Sequence, residues 1–145
     1  MALTAKNLDT GSMVADRVGV ADTRATRAVG LLSRSGLEPG EGLWIVPSRG
    51  VHTWGMRFTI DVVALDERGV VIDRVSNLKP WRIRLPKPGT AGVLELPAGT
   101  LERSGTAVGH RIEFAAAPPV GRGRFETTAR PAPAPVANEI EEFRS

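Results

Sequence analysis

The stretch Val51-His-Thr-Trp-Gly-Met-Arg-Phe-Thr-Ile-Asp-Val-Val-Ala-Leu-Asp66 decides how the rest of the chain is interpreted. Its second half contains a continuous apolar run, residues 62–65, which is typical of a strand buried on both faces. Its first half concentrates a histidine, a tryptophan and an arginine, and Asp61 lies just before the apolar run. Polar and aromatic side chains this dense at the mouth of a buried strand predict one wall of a small site.

Glycine and proline, 16 and 11 residues, punctuate the remaining chain at the spacing of a β-rich domain. The turn Asp66-Glu-Arg-Gly69 predicts a hairpin between the strands on either side of it. Apolar residues at alternating positions or in short runs between turn signals predict nine strands. They are residues 3–8, 13–20, 42–46, 51–54, 60–66, 70–75, 82–85, 93–96 and 111–115.

One helix is predicted between the second and third strands. Asp22 or Thr23 offers an N-cap, and Gly36 offers a stop. Five apolar residues between them recur at helical spacing, namely Ala25, Ala28, Val29, Leu31 and Leu32. The prediction is therefore a β-rich α+β domain, with a compact antiparallel or mixed sheet or a partly closed barrel and one packed helix.

The domain is expected to span residues 1–118. Residues 119–145 contain Gly-Arg-Gly-Arg and Arg-Pro-Ala-Pro-Ala-Pro without a periodic apolar face, which predicts a flexible, disordered C-terminal tail.

Composition limits the function classes. The 145 residues contain no cysteine, which excludes disulfides, thiolate metal sites and cysteine nucleophiles. The first residues lack the charged segment and long apolar run of a secretion signal, and no stretch is apolar enough for a membrane span, so we expect a soluble cytoplasmic protein. The net charge of +3 is small, which argues against a nucleic-acid partner.

Three titratable residues are candidates for chemistry. His52 suits acid–base work or a hydrogen bond to a ligand, since imidazole titrates near neutrality. Asp61 at the start of a buried strand needs a partner, and Arg57 or Arg27 is the natural one. Glu95, inside Val93-Leu-Glu-Leu-Pro97, is a second buried carboxyl, and if it shares a cavity with Asp61 their repulsion would raise one pKa.

Aromatic residues add a possible binding surface. Trp44 is expected in the core, whereas Trp54 and Trp81 lie in polar, loop-like surroundings. Trp81 is flanked by Lys79 and Arg82, a pattern that suits an anionic or stacked ligand. The alternative is that arginine stems simply cover the indole at a sheet edge.

Five segments in a fixed order resemble the family named domain of unknown function 192. They are Arg27-Ala-Val-Gly-Leu-Leu-Ser-Arg34, Gly42-Leu-Trp-Ile-Val-Pro47, the block from His52 to Asp61, Leu78-x-Pro-Trp81 and Val93-Leu-Glu-Leu-Pro-Ala-Gly99. The resemblance covers roughly residues 7–115 and implies one compact β-rich domain with one helix, without implying a reaction or a cofactor. Two positions depart from it: Thr59 replaces a usual proline, and His110 replaces a usual aspartate.

The leading hypothesis is a binding module whose groove takes a small or polymeric polar ligand. The candidate ligand-binding residues are His52, Trp54, Met56, Arg57, Asp61, Trp81 and Glu95. One alternative is a hydrolase- or lyase-type enzyme that uses Asp61, Glu95 and His52 as acid–base groups. Another is a scaffold that binds a partner through the basic edge from Lys79 to Lys87 and the tail. No metal or cofactor is predicted.

Overall fold

A computed structural model describes residues 2–32, 34–48, 50–84 and 87–118. Within these ranges the chain forms nine strands and two short helices. They are β1 (Ala2–Asn7), β2 (Met13–Ala21), α1 (Arg24–Val29), β3 (Glu41–Ile45), β4 (Val51–His52), β5 (Ile60–Leu65), β6 (Val71–Leu78), β7 (Ile83–Arg84), β8 (Gly92–Pro97), α2 (Thr100–Ser104) and β9 (Ile112–Ala116). All nine predicted strands are present, and the tail predicted for residues 119–145 lies outside the described residues.

Seven strands form one curled, mixed sheet in the order β6-β5-β8-β3-β2-β1-β9. The β2–β3 pair is parallel, and the other neighbours are antiparallel. The short strands β4 and β7 pair separately as a two-stranded ribbon. The predicted β-rich fold is therefore confirmed. Among the described residues, no helix has the length and apolar character needed to cross a bilayer.

The parallel pair explains the position of α1, because parallel neighbours need a long crossover connection between them. Thr23 caps the helix: its Oγ1 accepts the Thr26 N–H at 3.1 Å, and Thr26 Oγ1 accepts the Thr23 N–H at 3.0 Å. The helix is shorter than its apolar pattern predicts and buries none of its own residues. The crossover instead packs on the sheet through Leu31, which follows α1 and is 4% exposed.

The two edge strands of the sheet, β6 and β9, meet at one end. The Val71 N–H donates to the His110 carbonyl at 2.8 Å, and the Ile112 N–H donates to the Gly69 carbonyl at 2.8 Å. Val70 and Arg111 form a bridge between these contacts. The sheet is therefore a partly closed barrel, which removes part of the exposed edge.

His110 has a structural role in this closure. The Oδ1 of buried Asn7 accepts the N–H groups of Asp9 and Thr10, so the Asn7 amide nitrogen is the donor to Nδ1 of His110, 3.1 Å away. The same Nδ1 accepts the Ala107 N–H at 3.2 Å. Nδ1 of His110 therefore accepts both hydrogen bonds, as a carboxylate oxygen of an aspartate at this position could.

Two apolar clusters lie on opposite faces of the sheet. The barrel core consists of Ala5, Val14, Ala15, Val18, Val63, Leu65, Val71, Leu94, Leu96, Leu101 and Ile112. The crossover core consists of Leu31, Met56, Ile60, Val62, Leu78 and Val93. Strand β5 supplies both clusters by alternation, and all six of its residues are buried, as its apolar run predicts. Trp44 packs against the barrel core with its ring centroid 4.8 Å from that of Phe114.

Asp61 is fully buried, but no arginine among the described residues lies within ion-pair distance of it, so the predicted ion pair with Arg57 or Arg27 is wrong. Its Oδ1 accepts the Asn77 N–H at 2.9 Å, and its Oδ2 accepts the N–H groups of Gly99 at 3.1 Å and Leu101 at 2.9 Å. The β5–β6 register shifts beside this contact, and Asn77 takes a φ of 58°. Backbone donors therefore replace the cation as the partners of the carboxylate.

The second helix, α2, was not predicted. It has five residues, too few for a recognisable apolar period, and its N-cap Gly99 has no side chain to bond the first turn. Asp61 supplies that bond from β5, through the Leu101 N–H. A cap provided from about 40 residues away leaves no local sequence signal.

We expect Asp61→Asn to lower the free energy of unfolding by about 2–4 kcal/mol. The amide nitrogen of asparagine cannot accept a hydrogen bond, so at least one buried N–H loses its partner. Urea denaturation measures the change, with Glu67→Gln in the exposed β5–β6 turn as the control, at less than about 0.5 kcal/mol. Equal stability of Asp61→Asn and the parent would contradict the structural role of Asp61.

Candidate functional site

A cleft of about 160 Å³ opens on the crossover-core face of the sheet. Its walls come from the end of α1, from the segment after β3 and from β4, and its floor includes strand β8. The lining residues are Arg27, Ala28, Val29, Gly30, Leu31, Leu32, Ile45, Pro47, Ser48, Gly50, His52, Met56 and Glu95. Three of the sequence candidates, His52, Met56 and Glu95, therefore meet in one place.

Glu95 is the buried acid of this cleft. In β8 it lies opposite Leu43 of β3 and Val62 of β5, which belong to or pack against the crossover core. The residue is 3% exposed, and its Oε1 is buried without a hydrogen-bond partner among the described residues. Burial raises the pKa of the Glu95 carboxyl from 4.5 to about 7. The group therefore exchanges a proton near neutral pH.

His52 stands at the mouth of the cleft. Its side chain is exposed, and its ring centroid lies 5.5 Å from that of Trp54, at a tilted angle of 41°. Trp54 is itself 54% exposed and is not among the residues that line the cleft. The histidine thus connects the polar interior of the cleft with an aromatic surface outside it.

Two sets of contacts hold the ribbon of β4 and β7 beside the cleft. At one end, buried Thr53 donates its hydroxyl to the Lys79 carbonyl at 2.6 Å, accepts the Arg82 N–H at 2.9 Å and accepts the Trp81 N–H on its own carbonyl at 3.0 Å. At the other end, Arg84 binds Asp73 of β6 through two hydrogen bonds of 2.9 and 2.7 Å.

The Arg84 hydrogen bonds keep the pKa of the Asp73 carboxyl below its usual value. Thr53 was missed as a functional support, since a threonine between His52 and Trp54 carries no signal of its own in the sequence.

Besides Trp54, three other predicted site residues lie outside the cleft. Trp81, 66% exposed and with a φ of 65°, is beside Thr53 on the ribbon. Arg57 is exposed and forms no ion pair with any described residue. Asp61 is on the other face of the sheet, because it alternates with Val62 and its neighbour in register is Leu96 of the barrel core.

The two buried carboxyls therefore do not share a cavity. The condition under which Asp61 and Glu95 would repel each other is not met, and burial alone raises the pKa of Glu95. Among the described residues, no three histidine or carboxylate side chains gather as a metal site would require.

The wall of the cleft formed by residues 27–32, the crossover wall, was not predicted. Arg27 was considered only as a partner for Asp61, yet it lines the cleft and donates from Nη1 to the Asp22 carbonyl at 3.1 Å. The parallel β2–β3 pairing brings this segment over β8. The sequence contains the helix signal but not the pairing, so the location of the wall was not available from it.

The family and two relatives that match this chain in sequence have names that give no activity. The DUF192 family, described as "Uncharacterized ACR", matches residues 5–114. A UPF0127 protein from Pyrococcus abyssi is 35% identical over 104 residues, which are 68% of this chain and 86% of the relative. A UPF0127 protein from Pyrococcus furiosus is 32% identical over 114 residues, covering 74% and 95% of the two chains.

The crystal structure of a protein of unknown function from Novosphingobium aromaticivorans has the same fold. It superposes with a TM-score of 0.66 at 25% sequence identity, covering 78% of this chain and 84% of that one. The sequence match and the shared fold lead to one conclusion: this chain belongs to the uncharacterised DUF192 family.

Proposed function

We propose that this protein is a small, soluble, cytoplasmic module that binds a small polar ligand in the cleft above β8, without catalysing a reaction. One observation carries the proposal: Glu95 Oε1 is buried without a partner among the described residues, in a side chain that lines an open cleft. The cysteine-free composition, which needs no oxidising compartment, supports the location.

A buried hydrogen-bond acceptor without a partner costs about 1–3 kcal/mol of stability. A purely structural carboxyl is expected to have its partners built in, as Asp61 has three backbone N–H donors. Glu95 Oε1 has no such donor among the described residues, and a ligand that donates a hydrogen bond to it recovers the lost interaction. The ligand would then stabilise the ionised carboxylate and lower its pKa.

The ribbon contributes the outer part of the proposed binding surface. His52 lines the cleft, and Trp54 lies against it with an exposed ring. Aromatic faces held by a rigid support bind ligands at low entropic cost, and Thr53 and Arg84 provide that support. Arg57 and Trp81 would contact only a ligand that extends beyond the cleft.

The acid–base enzyme considered from the sequence required Asp61, Glu95 and His52 together. Asp61 is on the opposite face with its oxygens occupied, so only two of the three groups line the cleft. For the scaffold alternative, Arg84 and Lys87 of the basic edge lie 2.7 and 3.9 Å from Asp73, which offsets part of their charge. Neither alternative has an observation that favours it over binding.

A thermal-shift screen of small polar metabolites at pH 7.5 tests the proposal. We expect at least one compound to raise the melting temperature of the parent but not of Glu95→Gln, because native-state binding stabilises by mass action. Glu113→Gln, an exposed carboxyl on β9, is the matched control and should keep the shift. If no compound distinguishes Glu95→Gln from the parent, the proposal is wrong.

His52→Ala separates binding from catalysis for any compound found in that screen. Since His52 is exposed, the variant should fold normally and bind the compound about 5- to 30-fold more weakly, the scale of one or two polar contacts. Calorimetric titration gives the affinity. Turnover of the compound by the parent that falls by about 10²–10⁴-fold in His52→Ala would instead establish an enzyme.

A further inference from the structure

Opposite charges line the cleft without being paired to each other. Glu95 lies at the floor with a buried oxygen that has no partner among the described residues, and Arg27 of α1 is one of the lining residues. The guanidinium of Arg27 has one bond, to the Asp22 carbonyl, and no carboxylate of the described chain lies within ion-pair distance of it. A carboxyl group and a guanidinium-bearing side chain therefore line the same open cleft.

Resting on the proposed binding function, we infer that the cleft takes a small zwitterion of the α-amino-acid type, with its ammonium group on Glu95 and its carboxylate on Arg27. Each charged group of such a ligand meets a protein group of opposite sign. Arginine is well suited to the second contact, because its planar guanidinium binds a carboxylate through two parallel hydrogen bonds.

The walls and the volume of the cleft indicate the polarity and size of the ligand's side chain. Leu31, Ile45 and Met56 present apolar surface between the two charged groups, which favours a short aliphatic side chain. The volume is about 160 Å³, and a cavity of about 150 Å³ accommodates benzene, so roughly six to nine non-hydrogen atoms fit. A short branched amino acid such as valine has this size.

The protonation of Glu95 makes binding of a cationic head group depend on pH. Burial raises the pKa of Glu95 to about 7, and the other charged or titratable groups that line the cleft are His52 and Arg27. An ammonium group favours the ionised carboxylate, so binding expels the proton that Glu95 carries in part at neutral pH. Affinity for the zwitterion should therefore rise as the pH is raised from 5.5 to 7.5.

Three probes of one shape test the inference: L-valine, isobutylamine, which lacks the carboxylate, and 3-methylbutanoate, which lacks the amine. Titration of the ¹⁵N-labelled full chain at pH 7.5, followed by backbone chemical shifts, gives the three affinities. We expect valine to bind at least about tenfold more tightly than either analogue, since a hydrogen-bonded charge contact contributes on that scale or more.

Two variants on α1 locate the carboxylate contact. Arg27→Gln should reduce the affinity for valine to that for isobutylamine and leave isobutylamine unchanged. Arg24→Gln removes the same charge from an exposed position of the same helix that does not line the cleft, and should leave all three affinities unchanged. Melting temperatures of both variants within a few degrees of the parent confirm that they fold.

Three results would overturn the inference: no binding of valine, equal binding of valine and isobutylamine, or equal effects of Arg27→Gln and Arg24→Gln. A neutral compound that binds the cleft in a Glu95-dependent manner, while valine does not, would overturn the zwitterion and leave the proposed binding function standing. Valine binding that is unchanged in Glu95→Gln would contradict both.

Discussion

The carboxylate of Asp61 is where three distant parts of the chain are joined. It lies in strand β5, accepts an N–H from the bulged end of β6, and accepts two more from the turn that starts α2. A backbone N–H group buried without a partner costs free energy. The Asp61 side chain avoids this cost for three such groups at once. The bulge in β6 and the cap of α2 both depend on this group being an acceptor with two oxygens.

The alternation of β5 and β8 separates this structural carboxyl from the candidate functional one. Asp61 faces the barrel core. Its register partner in β8 is Leu96, and Glu95, the residue before Leu96, faces the crossover core. Both residues are buried acids in apolar strands, but their surroundings differ in one respect. Asp61 is surrounded by donors, whereas Glu95 lines a cleft and its Oε1 has no partner among the described residues. Burial without a compensating hydrogen-bond donor raises the pKa of Glu95, so this carboxyl group can exchange a proton near neutral pH.

The strands could be predicted because their signals are local. The run after Asp61 indicated a strand buried on both faces, and the Asp66–Gly69 turn indicated its hairpin. The partner of Asp61, the helix α2 and the crossover wall of the cleft could not be predicted, because each depends on a pairing between residues far apart in the chain. Arg27 illustrates the limit: its charge was visible in the sequence, but the parallel pairing that brings it to the cleft of Glu95 was not.

Of the seven candidate residues predicted from the sequence, three line the cleft. His52 and Glu95 were singled out as anomalous residue types, and the structure brings both to the cleft. Trp54 and Arg57 were grouped with them because they are near His52 in sequence, and Trp81 because of its basic flanks, yet none of the three lines the cleft. Proximity along a strand does not determine which face a side chain takes, whereas the register with the neighbouring strands does.

The fold keeps Glu95 buried without a hydrogen-bond donor to its Oε1 among the described residues. The pH dependence of unfolding tests this most directly. A carboxyl whose pKa is raised from 4.5 to about 7 by folding contributes stability below pH 4.5 and loses it as the pH rises through 7. The difference in unfolding free energy between Glu95→Gln and the parent should therefore grow in favour of the variant from pH 4.5 to pH 8, by about 3 kcal/mol. Parallel pH profiles for the two proteins would contradict the account, since they would show that Glu95 has a partner in the native state.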